Sequence, residues 1–132
     1  MLICYDLRFP EVWGCLARDH GVDLVLHPAC FPNDGSFATW HPFVKTRAVE
    51  NGCYVLSLSR AHRHFGCSLG VGPVPDEADS RTVVLGTAEA VLPVVVSRPK
   101  LLAARREYAF SADRRLDYAE MSRVLKGLAG GE

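Results

Sequence analysis

The sequence predicts an α/β fold in which a mixed sheet is flanked by helices. Two observations favour it: short apolar runs alternate with stretches of helical spacing over residues 1–59, and shorter strand-like runs joined by turns follow from residue 67. Alternating strands and helices indicate right-handed crossovers and parallel strands, whereas consecutive short strands indicate antiparallel neighbours. The chain has 132 residues and a hydrophobic content of 48%, which fits one packed domain.

The first half of the chain is expected to alternate between strands and helices. The first helix has the clearest ends, because Pro10 suits a first helical turn and Gly21 suits the position after the last turn. The predicted elements are a strand at 1–4, a helix at 10–20, a strand at 23–27, a loop at 29–37, a helix at 38–51 and a strand at 53–59.

The second half is expected to form an antiparallel edge followed by a helix and a tail. The acidic stretch Pro75–Asp79 is interpreted as a loop between two of the short strands. The tail is charged and ends in glycines, and its last part, about 119–132, is expected to be a mobile arm. The predicted elements are strands at 67–71, 82–85 and 91–96, a helix at 99–108 and the tail at 113–132.

Composition argues against several classes of protein. Fifteen basic and fifteen acidic residues balance, and the arginines are scattered, so nucleic-acid binding is not indicated. The longest apolar stretch, residues 90–96, contains Pro93 and is too short to span a membrane, so no membrane association is expected. The five cysteines include no Cys-x-x-Cys pair, which favours a reducing, cytoplasmic location.

Cys4 is the leading candidate for a catalytic residue. A cysteine at the junction of a strand and a helix points its sulfur out of the sheet edge, beside backbone N–H groups that can hold a developing negative charge. We therefore expect Cys4 at the C-terminal end of a buried strand, with its sulfur facing a concavity. The alternative is that a lone cysteine is buried filler, and we assign that role to Cys15, Cys30 and Cys53.

The segment Leu2–Glu11 resembles the nucleophile strand and elbow of the nitrilase superfamily, the carbon–nitrogen hydrolases, and within it the amidase branch. Three later segments agree with that family in order and spacing, although the hairpin between Gly70 and Gly86 departs from the family pattern. The agreeing segments are Trp40 with Lys45–Asn51, then Cys53–Val55, and Arg105 with Asp113–Tyr118.

The resemblance implies an α-β-β-α sandwich and a catalytic set of glutamate (general base), lysine (oxyanion ligand) and cysteine (nucleophile). Cys4 matches the nucleophile, and the backbone N–H of Tyr5 matches half of the oxyanion site. The glutamate and lysine belong to segments that precede the cysteine in the family, and Lys45, Lys100 and Lys126 do not match that lysine. Residues 1–132 therefore resemble the C-terminal half of such a domain, which is half of the sandwich.

The remaining candidates have structural alternatives. Arg8 is either a surface arginine or a ligand for a substrate carboxylate. Glu50 either pairs with Arg47 or supports the site from behind, and the resemblance favours support. His27, at the end of a buried strand, is interpreted as a satisfied core histidine near the site. His62, His64 and Cys67 have zinc-like spacing, but no fourth ligand follows at a suitable distance, so no metal is predicted.

The resemblance implies hydrolysis of an amide through a cysteine thioester, without a metal or organic cofactor. The expected partners are a small-molecule amide and either further copies of the chain or a missing N-terminal half. Without the glutamate and lysine, the isolated chain is expected to be inactive. The alternatives are a non-catalytic interaction module, or a fragment completed by a separate N-terminal chain. A thiol redox role is disfavoured, because Cys4 has no resolving cysteine near it.

Overall fold

The computed structural model describes residues 1–74 and 82–129, and it confirms the α/β fold with a mixed sheet. Most elements lie within a residue or two of their predicted ranges. The elements are a 3₁₀ helix at Cys4–Arg8, α1 at Pro10–His20, β1 at Leu24–Ala29, α2 at Phe37–Glu50, β2 at Tyr54–Ser59, β3 at Leu69–Val71, β4 at Val83–Val84, α3 at Arg98–Glu107 and α4 at Tyr118–Ala129.

The four strands form one sheet in the order β1-β2-β3-β4. β1 and β2 are parallel, and their register places His27 opposite Ser57. β3 runs antiparallel to β2, and β4 runs antiparallel to β3, with Gly70 opposite Val83. A parallel pair joined by a helix, followed by an antiparallel edge, is the predicted arrangement.

The main core lies between one face of the sheet and helices α1 and α2. Val25 and Val55 point into this core from the two parallel strands. Trp13 of α1 and Val44 of α2 meet them, and both side chains are fully buried. Because β1 and β2 alternate their side chains between faces, His27 and Ser57 also point into this core.

The opposite face of the sheet is only partly covered. Tyr54 at one end is buried, and its hydroxyl lies 3.4 Å from the backbone of Ser97, just before α3. Leu101, in α3, is fully buried. At the other end, Leu26 is 45% exposed and Leu58 is 50% exposed. The segment around α3 therefore covers one end of this face and leaves the other end open.

Arg105 fastens α3 to the beginning of both parallel strands. Its guanidinium donates to the carbonyl oxygens of Gly52 at 2.8 Å and Val22 at 2.9 Å, and it forms an ion pair of 2.8 Å with Asp23. These partners precede β1 and β2. One side chain therefore provides hydrogen-bond donors to backbone carbonyls just before both strands begin.

Two predicted strands are wrong. Residues 1–4 do not form a strand, since Leu2 makes a single hydrogen bond, from its N–H to the carbonyl of Leu26, before the chain turns at Cys4. Residues 91–96 do not form one either. Pro93 removes a backbone donor there, and Val91 is 99% exposed.

Residues 118–129 of the tail form helix α4, an element that the sequence does not predict, and the expected mobility of the tail stays a prediction. The acidic stretch Pro75–Asp79 lies outside the described residues. Among the helices of the described ranges, none is both long and apolar enough to cross a membrane.

Candidate active site

Cys4 lies at the sharp turn between an extended residue and a 3₁₀ helix. Ile3 is extended, with φ −127° and ψ 125°, whereas Cys4 has a positive φ of 45°. The carboxylate of Asp6 accepts a hydrogen bond of 2.9 Å from the Ile3 N–H, and the Asp6 N–H donates to the Ile3 carbonyl at 3.0 Å. Asp6 thus closes the turn from both sides. A positive φ costs a non-glycine residue free energy, and such strain is concentrated at functional sites.

This turn corrects the predicted position of Cys4. The residue is the first of the 3₁₀ helix and not the last of a buried strand, because the preceding residues pair with β1 only at Leu2. The side chain is half-buried. Two cavities, of about 420 Å³ beside Tyr54 and about 600 Å³ beside Lys45, are not lined by Cys4. The concavity expected at the Cys4 sulfur therefore stays a prediction.

Two helices hold the turn from inside the protein. The indole N–H of Trp13, in α1, donates to the Asp6 carbonyl at 3.0 Å. The Nε–H of Arg47, in α2, donates to the Leu7 carbonyl at 3.1 Å. Leu7 is itself 1% exposed and belongs to the main core. The backbone that follows Cys4 is therefore fixed by buried donors.

A third contact, from β1, reaches Cys4 itself. His27 is fully buried, and its Nε2 lies 3.0 Å from the carbonyl oxygen of Cys4. Its Nδ1 lies 2.8 Å from the hydroxyl of Ser57, which also accepts a hydrogen bond of 2.9 Å from the indole N–H of Trp40. A carbonyl can only accept and an indole N–H can only donate. Nε2 of His27 therefore carries a proton, and in a neutral ring Nδ1 carries none, so that Ser57 then donates its hydroxyl hydrogen to Nδ1.

The buried position of His27 favours the neutral form of its ring. Burial lowers its pKa from 6.5, against a smaller opposite effect of the hydrogen bond to the Cys4 carbonyl. The prediction of a satisfied core histidine is confirmed by these contacts. The sequence reasoning did not find its partners, Ser57 and Trp40.

Tyr5 and Arg8 lie on the outer side of the turn. The Tyr5 ring is 65% exposed and packs edge-on against Phe9, with 5.5 Å between the ring centroids. The guanidinium carbon of Arg8 lies 5.6 Å from the Tyr5 ring centroid and 5.9 Å from that of Phe43. Arg8 is exposed. A guanidinium stacked on aromatic rings can in general still donate hydrogen bonds to an anion from its edge.

Glu50 lies behind the turn and not in it. Its carboxylate accepts a hydrogen bond of 2.8 Å from Arg47, the residue that also binds the Leu7 carbonyl. The amide of Asn51 donates to the same carboxylate oxygen at 3.3 Å. The predicted pair of Arg47 and Glu50 is present. A path of hydrogen bonds therefore runs from Glu50 through Arg47 to the 3₁₀ helix.

The other cysteines differ in exposure. Cys53 is buried in the core, as expected of filler, and burial raises its pKa to about 12. Cys15 is half-buried, and the carboxylate of Asp19 is the main cause that raises its pKa. The expectation for Cys30 is wrong, because it follows β1 on the surface and is exposed.

The remaining polar candidates do not assemble into a metal site. The His64 N–H donates to Nδ1 of His62 at 3.2 Å, and the Cys67 carbonyl accepts from Nε2 of His41 at 2.8 Å. Over residues 1–74 and 82–129, no three His, Cys, Asp or Glu side chains are grouped as metal ligands.

Comparison with known proteins agrees with this architecture. The model of the carbon–nitrogen hydrolase family matches residues 1–89. A deaminated glutathione amidase of Yersinia enterocolitica is 38% identical over 64 residues, which are 48% of this chain and 22% of that protein. The nitrilase and fragile histidine triad fusion protein of Caenorhabditis elegans is 35% identical over 79 residues, 54% of this chain and 17% of that protein.

Solved structures extend the similarity over most of the chain. Nit3 of Saccharomyces cerevisiae, a member of the nitrilase superfamily, superposes with a TM-score of 0.73 at 27% identity, covering 86% of this chain and 42% of Nit3. The NitN amidase superposes with a TM-score of 0.65 at 28% identity, covering 94% of this chain and 44% of the amidase. The chain thus spans less than half the length of these relatives. The family match over residues 1–89 and the shared fold establish that the chain belongs to the carbon–nitrogen hydrolase family.

Proposed function

We propose that Cys4 is the nucleophile of an amidase that hydrolyses the carbon–nitrogen bond of small-molecule amides. The observation that carries this proposal is the turn itself: Cys4 has a positive φ and begins a 3₁₀ helix. The first N–H groups of a helix have no partner within that helix. The Tyr5 N–H follows Cys4 and precedes the first hydrogen bond of this one, so it suits an oxyanion donor.

The chemistry follows from these two groups. The Cys4 thiolate attacks the amide carbonyl carbon, and the tetrahedral oxyanion accepts a hydrogen bond from the Tyr5 N–H. The carbon–nitrogen bond then breaks, ammonia or an amine leaves with a proton from a general acid, and a thioester remains on Cys4. The same group, now a base, takes a proton from water, which attacks the thioester; the carbon–sulfur bond breaks, and the carboxylic acid and the Cys4 thiolate are released.

Relatives support the substrate class and the nucleophile. An amidase of Nesterenkonia sp. AN1, with a TM-score of 0.61 at 27% identity, carries a covalent acetamide moiety at its active-site cysteine. Another structure of that amidase holds butyramide, with a TM-score of 0.62 at 29% identity. We propose a small amide for this chain as well, with Arg8 as the ligand for a substrate carboxylate. Glu50 would support the site through Arg47.

The general base and the lysine of the proposed site would come from polypeptide outside these 132 residues. Two observations support this: the chain spans less than half of the similar structures, and one end of the sheet face at Leu26 and Leu58 is open. That open face equally supports the second candidate, a chain that acts only when bound to a separate polypeptide. No cofactor is required, and the free cysteines suit a cytoplasmic protein.

The isolated chain should therefore release ammonia from simple amides only at the level of its Cys4→Ala variant. Loss of a general acid or base removes about 10² to 10⁴ in rate, and loss of an oxyanion donor removes about 10² to 10³. Ammonia release well above that control would mean that a residue within the chain supplies the missing base.

A more direct experiment uses an activated ester, p-nitrophenyl acetate, because its leaving group needs no general acid. We expect an acetyl thioester on Cys4, found by peptide mass spectrometry and removed by hydroxylamine. The exposed Cys30 is the internal control, and its Cys30→Ala variant should keep the acetylation of Cys4. Acetylation of Cys30 in preference to Cys4 would contradict the assignment of the nucleophile.

A further inference from the structure

We propose that Trp40, Ser57 and His27 form a buried positioning relay that turns the peptide after Cys4 so that the Tyr5 N–H points at the oxyanion. The inference rests on the proposed role of Cys4. None of the three relay residues is a catalytic residue, because the relay contacts the backbone carbonyl of Cys4 and acts through it.

Every polar atom of the relay is matched. Trp40 donates to the Ser57 hydroxyl at 2.9 Å, Ser57 donates to Nδ1 of His27 at 2.8 Å, and Nε2–H of His27 donates to the Cys4 carbonyl at 3.0 Å. All three side chains are fully buried, with 0% exposure. Fully satisfied buried networks hold one arrangement, because any other leaves a buried group unpaired.

The sheet register brings the relay together. His27 in β1 and Ser57 in β2 are register partners in parallel strands, and both point into the main core. Trp40 reaches Ser57 from α2 and stacks on Phe31, with 4.9 Å between the ring centroids. The three side chains of the relay therefore come from three regular elements of the core, β1, β2 and α2.

The direction of the Cys4 carbonyl determines the direction of the next N–H. In a trans peptide the carbonyl and the N–H point in opposite directions. His27 holds the Cys4 carbonyl toward the core, so the Tyr5 N–H points away from the core, on the side where the exposed Tyr5 ring lies. An oxyanion donor needs this orientation. The positive φ of Cys4 raises the free energy of the turn, so the turn needs a stabilising contact such as the hydrogen bond from His27.

Two thiol reagents separate positioning from simple structural support. Addition of the Cys4 thiolate to acrylamide forms a carbon–sulfur bond and moves the electrons of the double bond toward the carbonyl oxygen, which carries the negative charge until the α-carbon takes a proton from water and the carbonyl reforms. Alkylation by iodoacetamide forms a carbon–sulfur bond and expels iodide, without charge on the carbonyl oxygen. Only the first reaction benefits from the Tyr5 N–H.

The experiment measures both rate constants at Cys4 by peptide mass spectrometry on the full chain. In the variants His27→Phe and Ser57→Ala, we expect the rate with acrylamide to fall by about 10-fold or more. This loss is smaller than that caused by removing an oxyanion donor altogether, because the Tyr5 N–H is misdirected and not absent. The rate with iodoacetamide should change by less than about two-fold. His27→Gln keeps an N–H donor toward Cys4 and should restore most of the ratio. The matched control is Ser68→Ala, because Ser68 is a buried serine whose hydroxyl bonds to the backbone of Ser59 in the contacts described and not to the relay.

An unchanged rate ratio in His27→Phe and Ser57→Ala, or an equal loss with both reagents, would overturn the relay. If these variants do not fold, the tautomer of His27 in the unaltered chain decides the question by ¹⁵N NMR. A neutral ring protonated on Nε2 is expected, and protonation on Nδ1 would overturn the relay. If Cys4 of the unaltered chain reacts with neither reagent, the result contradicts the proposed function as well as the relay. If Cys4 reacts but the ratio of the two rates is the same in the relay variants, only the relay is overturned.

Discussion

Arg47 donates a hydrogen bond of 3.1 Å to the carbonyl of Leu7, and thereby ties helix α2 to the turn that begins at Cys4. The side chain of Arg47 is only 6% exposed, and its ion pair with Glu50 leaves that carboxylate 30% exposed. Because this cation is buried and has two partners, we expect it to contribute more to stability than an exposed ion pair does. Arg47 therefore links Glu50 to the 3₁₀ helix that begins at Cys4 through direct hydrogen bonds.

Arg47→Met should lower the free energy of unfolding by about 2 to 3 kcal/mol, because it removes a charged donor and leaves the buried Leu7 carbonyl unpaired. Urea unfolding measures this change. The exposed ion pair of Arg18 and Asp19 provides the control, and Arg18→Ala should cost less than about 1 kcal/mol. A loss in Arg47→Met no larger than that of the control would contradict the structural role of Arg47.

Gly66→Ala should be strongly destabilising. Gly66 has a φ of 87°, and a Cβ there would come within 2.7 Å of the Thr87 Cα and 2.9 Å of the Gly86 carbonyl oxygen. Because both neighbours are backbone atoms, the turn must move, and we expect a loss of about 2 to 4 kcal/mol. Thermal or urea unfolding measures the loss.

Two other glycines calibrate that result. Gly21 has a φ of 60° with no atom within 4 Å of its Cβ position, so Gly21→Ala should cost only the strain of the left-handed backbone, about 1 kcal/mol. At Gly35 the same space is open and φ is not in the left-handed region, so Gly35→Ala should be near neutral. Equal losses at all three positions would refute the steric argument for Gly66.

The stability of the chain should rise with pH through the range in which His27 titrates. Burial holds the pKa of folded His27 below 6.5, so the unfolded state binds more protons between that lowered pKa and about pH 6.5. The contribution of His27 is therefore fully present above about pH 6.5 and is lost as the pH falls toward the lowered pKa. Urea unfolding between about pH 5 and 7.5 measures this slope.

His27→Gln should flatten that slope, because its side chain does not titrate. The exposed His62 is the matched control, and His62→Gln should keep the slope of the unaltered chain. A slope that persists in His27→Gln would assign the pH dependence to another group.

The open end of the sheet should bind other apolar surfaces. Leu26 and Leu58 are about half exposed on the same face of β1 and β2. We expect the chain to bind an apolar fluorescent dye and to self-associate in size-exclusion chromatography. A monomer that binds no dye would contradict the half-sandwich and favour a stand-alone module.

The double variant Leu26→Lys, Leu58→Lys should reduce dye binding and association. Its free energy of unfolding should change by less than about 1 kcal/mol, because neither leucine is part of the main core. The control is Leu101→Ala on α3, since Leu101 is fully buried and its truncation should cost about 2 to 5 kcal/mol.

The sequence predicts helix α1 well because its boundary signals are local. Pro10 begins the helix, and Gly21 ends it in a left-handed conformation with φ 60°. Helix α4 is not predicted, although Met121 and Leu125 stand at helical spacing, because a charged segment that ends in glycines is equally typical of a mobile tail. Residues 1–4 were apolar enough for a strand, but strand formation also needs partners, and only Leu2 finds one.

The sequence predicts only those residues of the candidate site that lie together in one recognisable motif. Cys4 and Tyr5 come from one contiguous segment, whereas Ser57 and Trp40 are 30 and 13 residues from His27 in sequence. Their meeting depends on the register of β1 against β2, which places His27 opposite Ser57. A parallel alignment of the two predicted strands would have brought that pair together. Trp40 requires the packing of α2 as well.

The contacts of Arg105 have a consequence for the order in which the chain folds. Its three partners, Gly52, Val22 and Asp23, precede it by 53, 83 and 82 residues. During synthesis from the N-terminus, both parallel strands leave the ribosome long before the guanidinium that completes their first turns. Contacts so distant in sequence form late, because closing a long loop costs entropy before the contact returns any stabilisation. The early sheet is thus exposed to competing partners until residue 105 has emerged.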